Sequence, residues 1–139
     1  MRGSCLCGLV RYEISGSVRP VVGCHCTQCR KSSGHYVAAT QTAKSDITIT
    51  GQDHLSWFQS SDNARRGFCR TCGSQMFWTE DTSENISIMA GSIDGASGLI
   101  MEKQLFGEDK GDYYPLPDVP VVDQSTLKQK KPRQKAGPR

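Results

Sequence analysis

The pattern of apolar and polar residues predicts a chain of short β-strands. β-Forming residues alternate with polar ones over residues 9–14, and short apolar runs recur as far as residue 90. We predict strands at residues 9–14, 36–40, 47–50, 54–58, 75–78 and 85–90. No stretch has the periodicity of a long amphipathic helix. The pattern therefore predicts a mostly-β sandwich of short antiparallel strands.

The segments between these strands are predicted to be turns or irregular chain. We predict a brief helical turn or loop at residues 30–34. The polar residues 59–66 are predicted to form a loop or a hairpin arm. Residues 99–101 begin a short extended segment. Three prolines after residue 114 predict irregular structure there.

The amino-acid composition predicts a small hydrophobic core and a separate C-terminal tail. With 139 residues, 36% hydrophobic content and 14 glycines, the chain predicts one modest domain that bound metal would help to stabilise. Six of the 17 basic residues and no acidic one lie in residues 126–139, so the remainder has 11 basic against 14 acidic residues. We predict a domain at 1–123 and a disordered basic tail at 124–139. We interpret the tail as a solvated terminus rather than a nucleic-acid arm.

The chain predicts a cytoplasmic protein with reduced thiols. Its beginning has no charged-then-apolar signal region, and no apolar run approaches the roughly 18–20 residues of a membrane span. The odd number of cysteines, seven, argues against a complete disulfide framework. Exposed strand edges are compatible with a dimer, and the sequence leaves the oligomeric state open.

All seven cysteines lie in three tight clusters, which is typical of zinc ligands. A natural division is a closed structural site at Cys5, Cys7, Cys69 and Cys72 and a three-thiol site at Cys24, Cys26 and Cys29. The second site would keep its fourth position for water, a histidine or a substrate. Spacing also allows one closed site with three remaining thiols. Of the nearby histidines (His25, His35 and His54), His25 is expected to point away, because it alternates with two cysteines.

Five sequence blocks carry a family resemblance. They are residues 3–13 (GSCLCGLVRYE), 24–34 (CHCTQCRKSSG), 66–74 (RGFCRTCGS), 90–94 (AGSID) and 109–114 (DKGDYY). In this order they resemble the glutathione-dependent formaldehyde-activating enzyme family, which is related to the centromere protein V domain. The resemblance covers residue 3 to about residue 120.

The resemblance implies a zinc-bearing, mostly-β fold similar to methionine sulfoxide reductase B-like proteins. It also implies a four-cysteine structural zinc and a three-cysteine zinc near the substrate. The implied reaction is that of a carbon–sulfur lyase, which joins glutathione and formaldehyde as S-hydroxymethylglutathione or reverses that addition. The family includes many members whose substrates are not established, so membership leaves the thiol and the aldehyde open.

The chemistry assigns catalytic roles to Cys24, Cys26 and Cys29. Zinc held by these three thiols would accept a substrate thiol and lower its pKa. Three thiolates give the centre a net negative charge, which predicts a labile metal. Arg30 could offset this charge and bind a glutathione carboxylate, or it could be an ordinary exposed cation.

Four further residues are weaker candidates for the substrate site: Arg65, Arg66, Trp57 and Phe58. The two aromatic residues would either line a pocket or belong to the core. Gln104 stands where many relatives have a histidine. Glutamine can hydrogen-bond but cannot shuttle protons, so this position bears on whether the reference reaction occurs here.

Two other functions remain open at the level of sequence. One is a non-enzymatic zinc module for a protein or nucleic-acid partner, with purely structural cysteines. The other is thiol redox chemistry, which needs a reactive cysteine and a resolving partner. The seven-cysteine division leaves no obvious thiol for it, so we rank it last.

Overall fold

The computed structural model describes residues 1–122, which form two compact units. The first contains Met1–Arg19 and Thr40–Gly98, and the second contains Pro20–Ala39 together with residues 99–122. The predicted basic tail at 124–139 lies outside the described residues. The assignment of residues 1–123 to one domain stays a prediction.

Ten strands and one α-helix form the framework of these residues. The strands are β1 (Arg2–Ser4), β2 (Arg11–Ile14), β3 (Val21–Cys24), β4 (Val37–Ala43), β5 (Ile47–Thr50), β6 (Leu55–Ser61), β7 (Ala64–Cys69), β8 (Gln75–Glu80), β9 (Asn85–Met89) and β10 (Met101–Leu105). Helix α1 spans Thr27–Ser33, and short 3₁₀ turns span Lys44–Asp46, Gln52–His54, Ala90–Ser92 and Gly107–Asp109. Within residues 1–122, no helix is both long and apolar enough to cross a bilayer.

The first unit is a sandwich of two sheets. One sheet has the order β1-β2-β5, and the other has the order β4-β9-β8-β7-β6, with β4 divided between the units after Ala39. The inward residues of β2 pack against those of β8, and the rings of Tyr12 and Phe77 meet edge to face at 5.6 Å. Alternation along β2, where Tyr12 and Ile14 are buried and Arg11 and Glu13 are exposed, produces this arrangement.

The second unit is built around β3. This strand pairs antiparallel with β4 and parallel with β10, so it lies between two neighbours and its residues Val21, Val22 and Gly23 are buried. The parallel pair differs from the predicted all-antiparallel arrangement, because β10 returns to β3 only after a long excursion of the chain. Helix α1 follows β3 after two residues and ends at Gly34, which adopts a left-handed conformation with φ of 80°.

The mostly-β class predicted from the sequence is confirmed, and the predicted strands correspond to β2, β4 to β6, β8 and β9. The polar segment at 59–66 contributes to both strands of the β6–β7 hairpin. Of its two predicted alternatives, a loop or a hairpin arm, the hairpin arm is confirmed. Strand β1 was not predicted, because three residues are too few to show alternation. The comparison with methionine sulfoxide reductase B-like folds stays a prediction.

Candidate metal centres

Four thiols meet in the first unit. Cys5 and Cys7 lie in the turn after β1. Cys69 is the last residue of β7, and Cys72 lies in the turn between β7 and β8. The four Sγ atoms lie within 4.8 Å of one another, with 3.5 Å between Cys5 and Cys7 and 3.7 Å between Cys7 and Cys69. Four sulfur atoms around a tetrahedral zinc, each about 2.3 Å from the ion, would be about 3.8 Å apart. The donor set and its spacing therefore fit zinc.

Backbone and hydroxyl groups surround this four-thiol cluster with hydrogen bonds. The Val10 N–H donates to Cys5 Sγ at 3.3 Å, and the Ser74 hydroxyl lies 3.2 Å from Cys72 Sγ. The same Ser74 oxygen accepts from the Leu6 N–H at 3.0 Å and so links the two turns. Polar groups around metal-binding thiolates offset their charge and orient them.

The thiols of this cluster differ in acidity. The Ser74 hydroxyl and backbone lower the pKa of Cys72 to about 5. Cys7 accepts a backbone hydrogen bond from Leu9 that lowers its pKa, but burial and the neighbouring thiols raise the pKa to about 12. Burial opposes ionisation of Cys5, yet hydrogen bonds from the Val10 backbone and adjacent thiols lower its pKa. All four thiols can ionise together when a cation offsets their repulsion.

Three further thiols meet in the second unit, where β3 ends and α1 begins. Cys24 is the last residue of β3, Cys26 is the N-cap of α1, and Cys29 lies in its first turn. The Cys26 sulfur accepts the Cys29 N–H at 3.4 Å and so serves as the helix cap. The three Sγ atoms lie within 4.8 Å of one another, and no other metal-binding side chain of residues 1–122 joins their group.

The electrostatics of this three-thiol cluster favour a cation. Hydrogen bonds to Cys26 and Cys29, followed by burial and the charge of these neighbours, raise the pKa of the Cys24 thiol. Without a cation among them, the three sulfur atoms therefore do not all ionise. Sulfur is a soft donor, and three sulfur ligands with one remaining position are compatible with a reactive zinc site.

His25 lies between the first two thiols in sequence but is not part of their group. Its ring is fully buried, with 0% exposure. Its Nδ1 lies 2.7 Å from the Tyr114 hydroxyl, and its Nε2 lies 2.8 Å from Gln104 Oε1. Both ring nitrogens are therefore used within the protein, as expected for a side chain that points away from its cysteine neighbours.

An aromatic cluster surrounds this histidine. Tyr36 lies 4.8 Å from the His25 ring, and His35 stacks on Tyr114 at 4.2 Å with 24° between the ring planes. The Tyr113 hydroxyl donates to the Gly34 carbonyl at 3.0 Å. Burial raises the pKa of Tyr114, although a backbone hydrogen bond at Gly111 and the positive charge of Arg30 lower it. The Tyr114 hydroxyl therefore keeps its proton.

Arg30 lies on α1, one residue after Cys29. Its Nε is buried and has no hydrogen-bond partner among residues 1–122. Its effect on the pKa of Tyr114 places its charge close to the aromatic cluster. The structure thus brings a cation, three thiols and aromatic rings together within one unit.

The other candidates lie in the first unit. Trp57 and Phe58 are on β6 and are 36% and 62% exposed, so neither belongs to the core. The Arg65 guanidinium lies over the Trp57 ring at 5.3 Å, and Arg66 lies on β7. The His54 Nδ1 contacts the Thr71 hydroxyl at 3.0 Å.

Sequence reasoning did not identify Tyr36, Tyr114 and Ser74 as parts of the two sites. Tyr114 lay within the quoted DKGDYY block, and Ser74 follows the glycine that closes the second cysteine turn. Gln104 was singled out as a substitution, and the structure buries it against His25 with 1% exposure.

These features define a mostly-β protein with two clusters of converging thiols that could each hold a metal ion. A sequence model of the glutathione-dependent formaldehyde-activating enzyme family matches residues 1–109. The chain therefore belongs to this family.

Two individual proteins are similar to this chain. A protein from Schizosaccharomyces pombe, described as an uncharacterized lyase, is 26% identical over 114 residues, which cover 81% of this chain and 82% of that protein. A crystal structure of a Rhodobacter sphaeroides protein matches with a TM-score of 0.60 and 24% identity. The match covers 88% of this chain and 100% of the other, and it shows a common fold.

Proposed function

We propose that this protein is a zinc-dependent carbon–sulfur lyase that acts on thiol–aldehyde adducts such as S-hydroxymethylglutathione, in formaldehyde activation or detoxification. The observation that carries the proposal is the convergence of Cys24, Cys26 and Cys29 in a member of this family. Its natural setting would be the reducing cytoplasm, where such thiols stay reduced.

The proposed reaction makes or breaks one carbon–sulfur bond. In the lyase direction, the adduct loses its hydroxyl proton as the carbonyl forms, and the sulfur departs with the bonding electron pair and then takes up a proton. The products are a thiol and an aldehyde, and addition is the same process in reverse. No oxidant or reductant is required, which fits a site without a disulfide among the described thiols.

The three-thiol cluster supplies the reacting centre in this proposal. Zinc held by Cys24, Cys26 and Cys29 would stabilise the substrate sulfur as a thiolate at neutral pH. Helix α1 sets two of these thiols one helical turn apart, since Cys26 caps the helix and Cys29 follows three residues later. The absence of a fourth metal-binding side chain from this group among residues 1–122 is compatible with substrate entry.

The four-thiol cluster would hold a second zinc with a structural role. Cys5, Cys7, Cys69 and Cys72 supply the four thiol donors that a closed zinc site needs, and Cys5 and Cys69 are part of the buried core of the first unit. A site closed by four protein ligands leaves no position for a substrate.

The direct test of the function is the rate at which glutathione and formaldehyde exchange with their adduct. These compounds react spontaneously, so NMR exchange spectroscopy of the mixture at equilibrium measures the rate with and without the zinc-loaded protein. We expect the protein to accelerate the exchange at substoichiometric amounts. Two firmly bound zincs that do not respond to glutathione, with no acceleration, would instead favour the non-enzymatic zinc module.

Replacing Arg30 by methionine is expected to raise KM for the glutathione adduct about tenfold or more, with a smaller change in kcat. A charge-assisted hydrogen bond to a carboxylate is worth roughly 1.5–3 kcal/mol, which corresponds to this range of affinity. Steady-state kinetics with the adducts of glutathione and of 2-mercaptoethanol would measure the effect, because the second thiol has no carboxylate.

Lys31→Met is the matched control, since Lys31 is an exposed cation on the same helix. We expect it to leave both KM values nearly unchanged. Equal losses for Arg30→Met with the two thiols would show that Arg30 does not recognise a carboxylate.

A further inference from the structure

Gln104 occupies a buried position whose hydrogen bonds define the orientation of its side chain. Its Nε2 lies 2.9 Å from the Pro117 carbonyl oxygen and 2.8 Å from the Val119 carbonyl oxygen. A carbonyl oxygen can only accept, so the Gln104 group that faces both must be the NH₂. The reverse orientation would place three oxygen atoms against one another.

This orientation determines which nitrogen of His25 carries a proton. With its NH₂ directed at two carbonyls, Gln104 presents Oε1 to His25 Nε2 at 2.8 Å. Because that oxygen is an acceptor, Nε2 must be the donor and must carry a hydrogen atom.

Tyr114 completes the arrangement on the other side of the ring. Its hydroxyl lies 2.7 Å from Nδ1, and the hydroxyl oxygen also accepts a backbone hydrogen bond at Gly111. The hydroxyl hydrogen is therefore available for donation to Nδ1, and a neutral imidazole whose Nε2 carries the hydrogen offers a lone pair there. The Nδ1 atom therefore accepts, and His25 is held as the Nε2–H tautomer.

The histidine is also tied to the sheet through its backbone. Its N–H donates to the Leu105 carbonyl at 3.0 Å, directly after the parallel pairing of Cys24 with Leu105. Gln104 is anchored in turn, because its own N–H donates to the Pro120 carbonyl at 2.9 Å. Ring and backbone of His25 are thus both attached to β10 and the segment that follows it.

We infer that Gln104 is a positioning residue of the three-thiol site: it holds His25 in the Nε2–H tautomer and so sets the turn that directs Cys24 and Cys26 toward a common point. With both ring nitrogens engaged, His25 is withheld from the metal, and the three sulfur atoms remain the donors. This inference rests on the proposed function only in treating the three thiols as a metal site.

The first measurement is the His25 tautomer in the full-length zinc-loaded protein labelled with ¹⁵N-histidine. A two-bond ¹H–¹⁵N correlation spectrum distinguishes a protonated from an unprotonated ring nitrogen, and His25→Asn identifies the signals among the three histidines. We expect a protonated Nε2 and an unprotonated Nδ1. A protonated Nδ1 in the wild-type protein would overturn the inference without any variant.

Two variants then test which neighbour is responsible. Gln104→Met keeps the approximate volume but removes the acceptor and both donors, and we expect loss of the single Nε2–H signature. Tyr114→Phe removes one hydroxyl, and we expect the Nε2–H tautomer to persist, because Gln104 still requires it. A tautomer that survives Gln104→Met, or changes in Tyr114→Phe, would contradict the role of Gln104.

Zinc affinity provides the second measurement. In competition with a chromophoric chelator, we expect Gln104→Met to weaken the three-thiol site about 10–100-fold, the range for loss of a partner that orients metal ligands. The four-thiol site serves as the internal reference, and Gln59→Met removes an exposed glutamine hydrogen bond as the matched control. Unchanged affinity in Gln104→Met would refute the positioning role.

These measurements use neither a thiol substrate nor an aldehyde. Failure of the lyase reaction would therefore leave the tautomer and the affinity results intact. Failure of the inference would conversely appear in the spectra and the zinc titration even in a fully active enzyme.

Discussion

Replacing Cys24 by serine is expected to abolish turnover of the thiol–aldehyde adduct, with a loss of at least about 100-fold. A serine hydroxyl is a poor ligand for zinc compared with a thiolate, so two thiols would remain at the three-thiol site. The exchange assay with glutathione and formaldehyde measures the loss, and elemental analysis counts bound zinc. We expect one zinc per chain in the variant and two in the wild-type protein.

The fold of this variant should persist, because Cys24 lies at the end of β3 and is only half-buried. Circular dichroism and a thermal melt verify this point. Full activity in Cys24→Ser with one zinc lost would show that the three-thiol site does not take part in the reaction. Retention of both zincs would show that the site does not depend on this ligand.

Replacing Cys69 by serine is expected to destabilise the protein by on the order of 5 kcal/mol, enough to unfold a domain of ordinary stability. Cys69 is 0% exposed and packs in the core of the first unit beside Met76 and Phe77. The substitution removes a ligand of the four-thiol cluster and buries a hydroxyl in its place. Urea denaturation of the zinc-loaded proteins measures the loss.

Ile88→Val is the control for Cys69→Ser, because it deletes one buried methylene from the same core and leaves the thiols unchanged. Its expected cost is about 0.5–1.5 kcal/mol. A strong chelator should destabilise the wild-type protein and Ile88→Val by the same amount. Wild-type stability that is insensitive to zinc removal would show that the four-thiol cluster has no structural metal.

The two cysteine variants are also controls for each other. Each is expected to lose one zinc, but Cys24→Ser should lose activity within a folded protein, whereas Cys69→Ser should lose the fold. Equivalent behaviour of the two variants would contradict the division into a reactive and a structural site.

Much of the candidate site could be predicted because metal-binding thiols are close in sequence. The pairs Cys5 with Cys7 and Cys69 with Cys72 need only a local turn, and the triple from Cys24 to Cys29 needs only a strand end and one helical turn. The division into four and three thiols therefore appeared in the pattern and is reproduced as two groups in space. Their metal content remains a prediction.

Burial was harder to predict for the aromatic residues. Trp57 and Phe58 on β6 and Phe77 on β8 all lie on short strands rich in aromatic residues. Phe77 is 1% exposed and Phe58 is 62% exposed, because β6 forms an edge of its sheet whereas β8 lies between two strands. Strand order, which the sequence does not contain, decided which aromatic rings were covered.

The change at Gln104 illustrates the same limit at the site. At the level of sequence, a glutamine in place of a histidine bears only on whether this residue could transfer a proton near the substrate. In the folded chain the amide is buried and hydrogen-bonded to His25, which is 79 residues away in sequence. Its chemical role is therefore defined by the parallel pairing of β3 with β10.

By itself, the sequence determined the mostly-β class, the family and the grouping of the seven thiols, since alternation and close cysteine spacing act over a few residues. Only the tertiary structure decided the parallel β3–β10 pair, the exposure of Trp57 and Phe58 and the network of Gln104, His25 and Tyr114. These features join residues far apart in the chain. Their formation depends on which strands become neighbours, and local sequence preferences do not specify that.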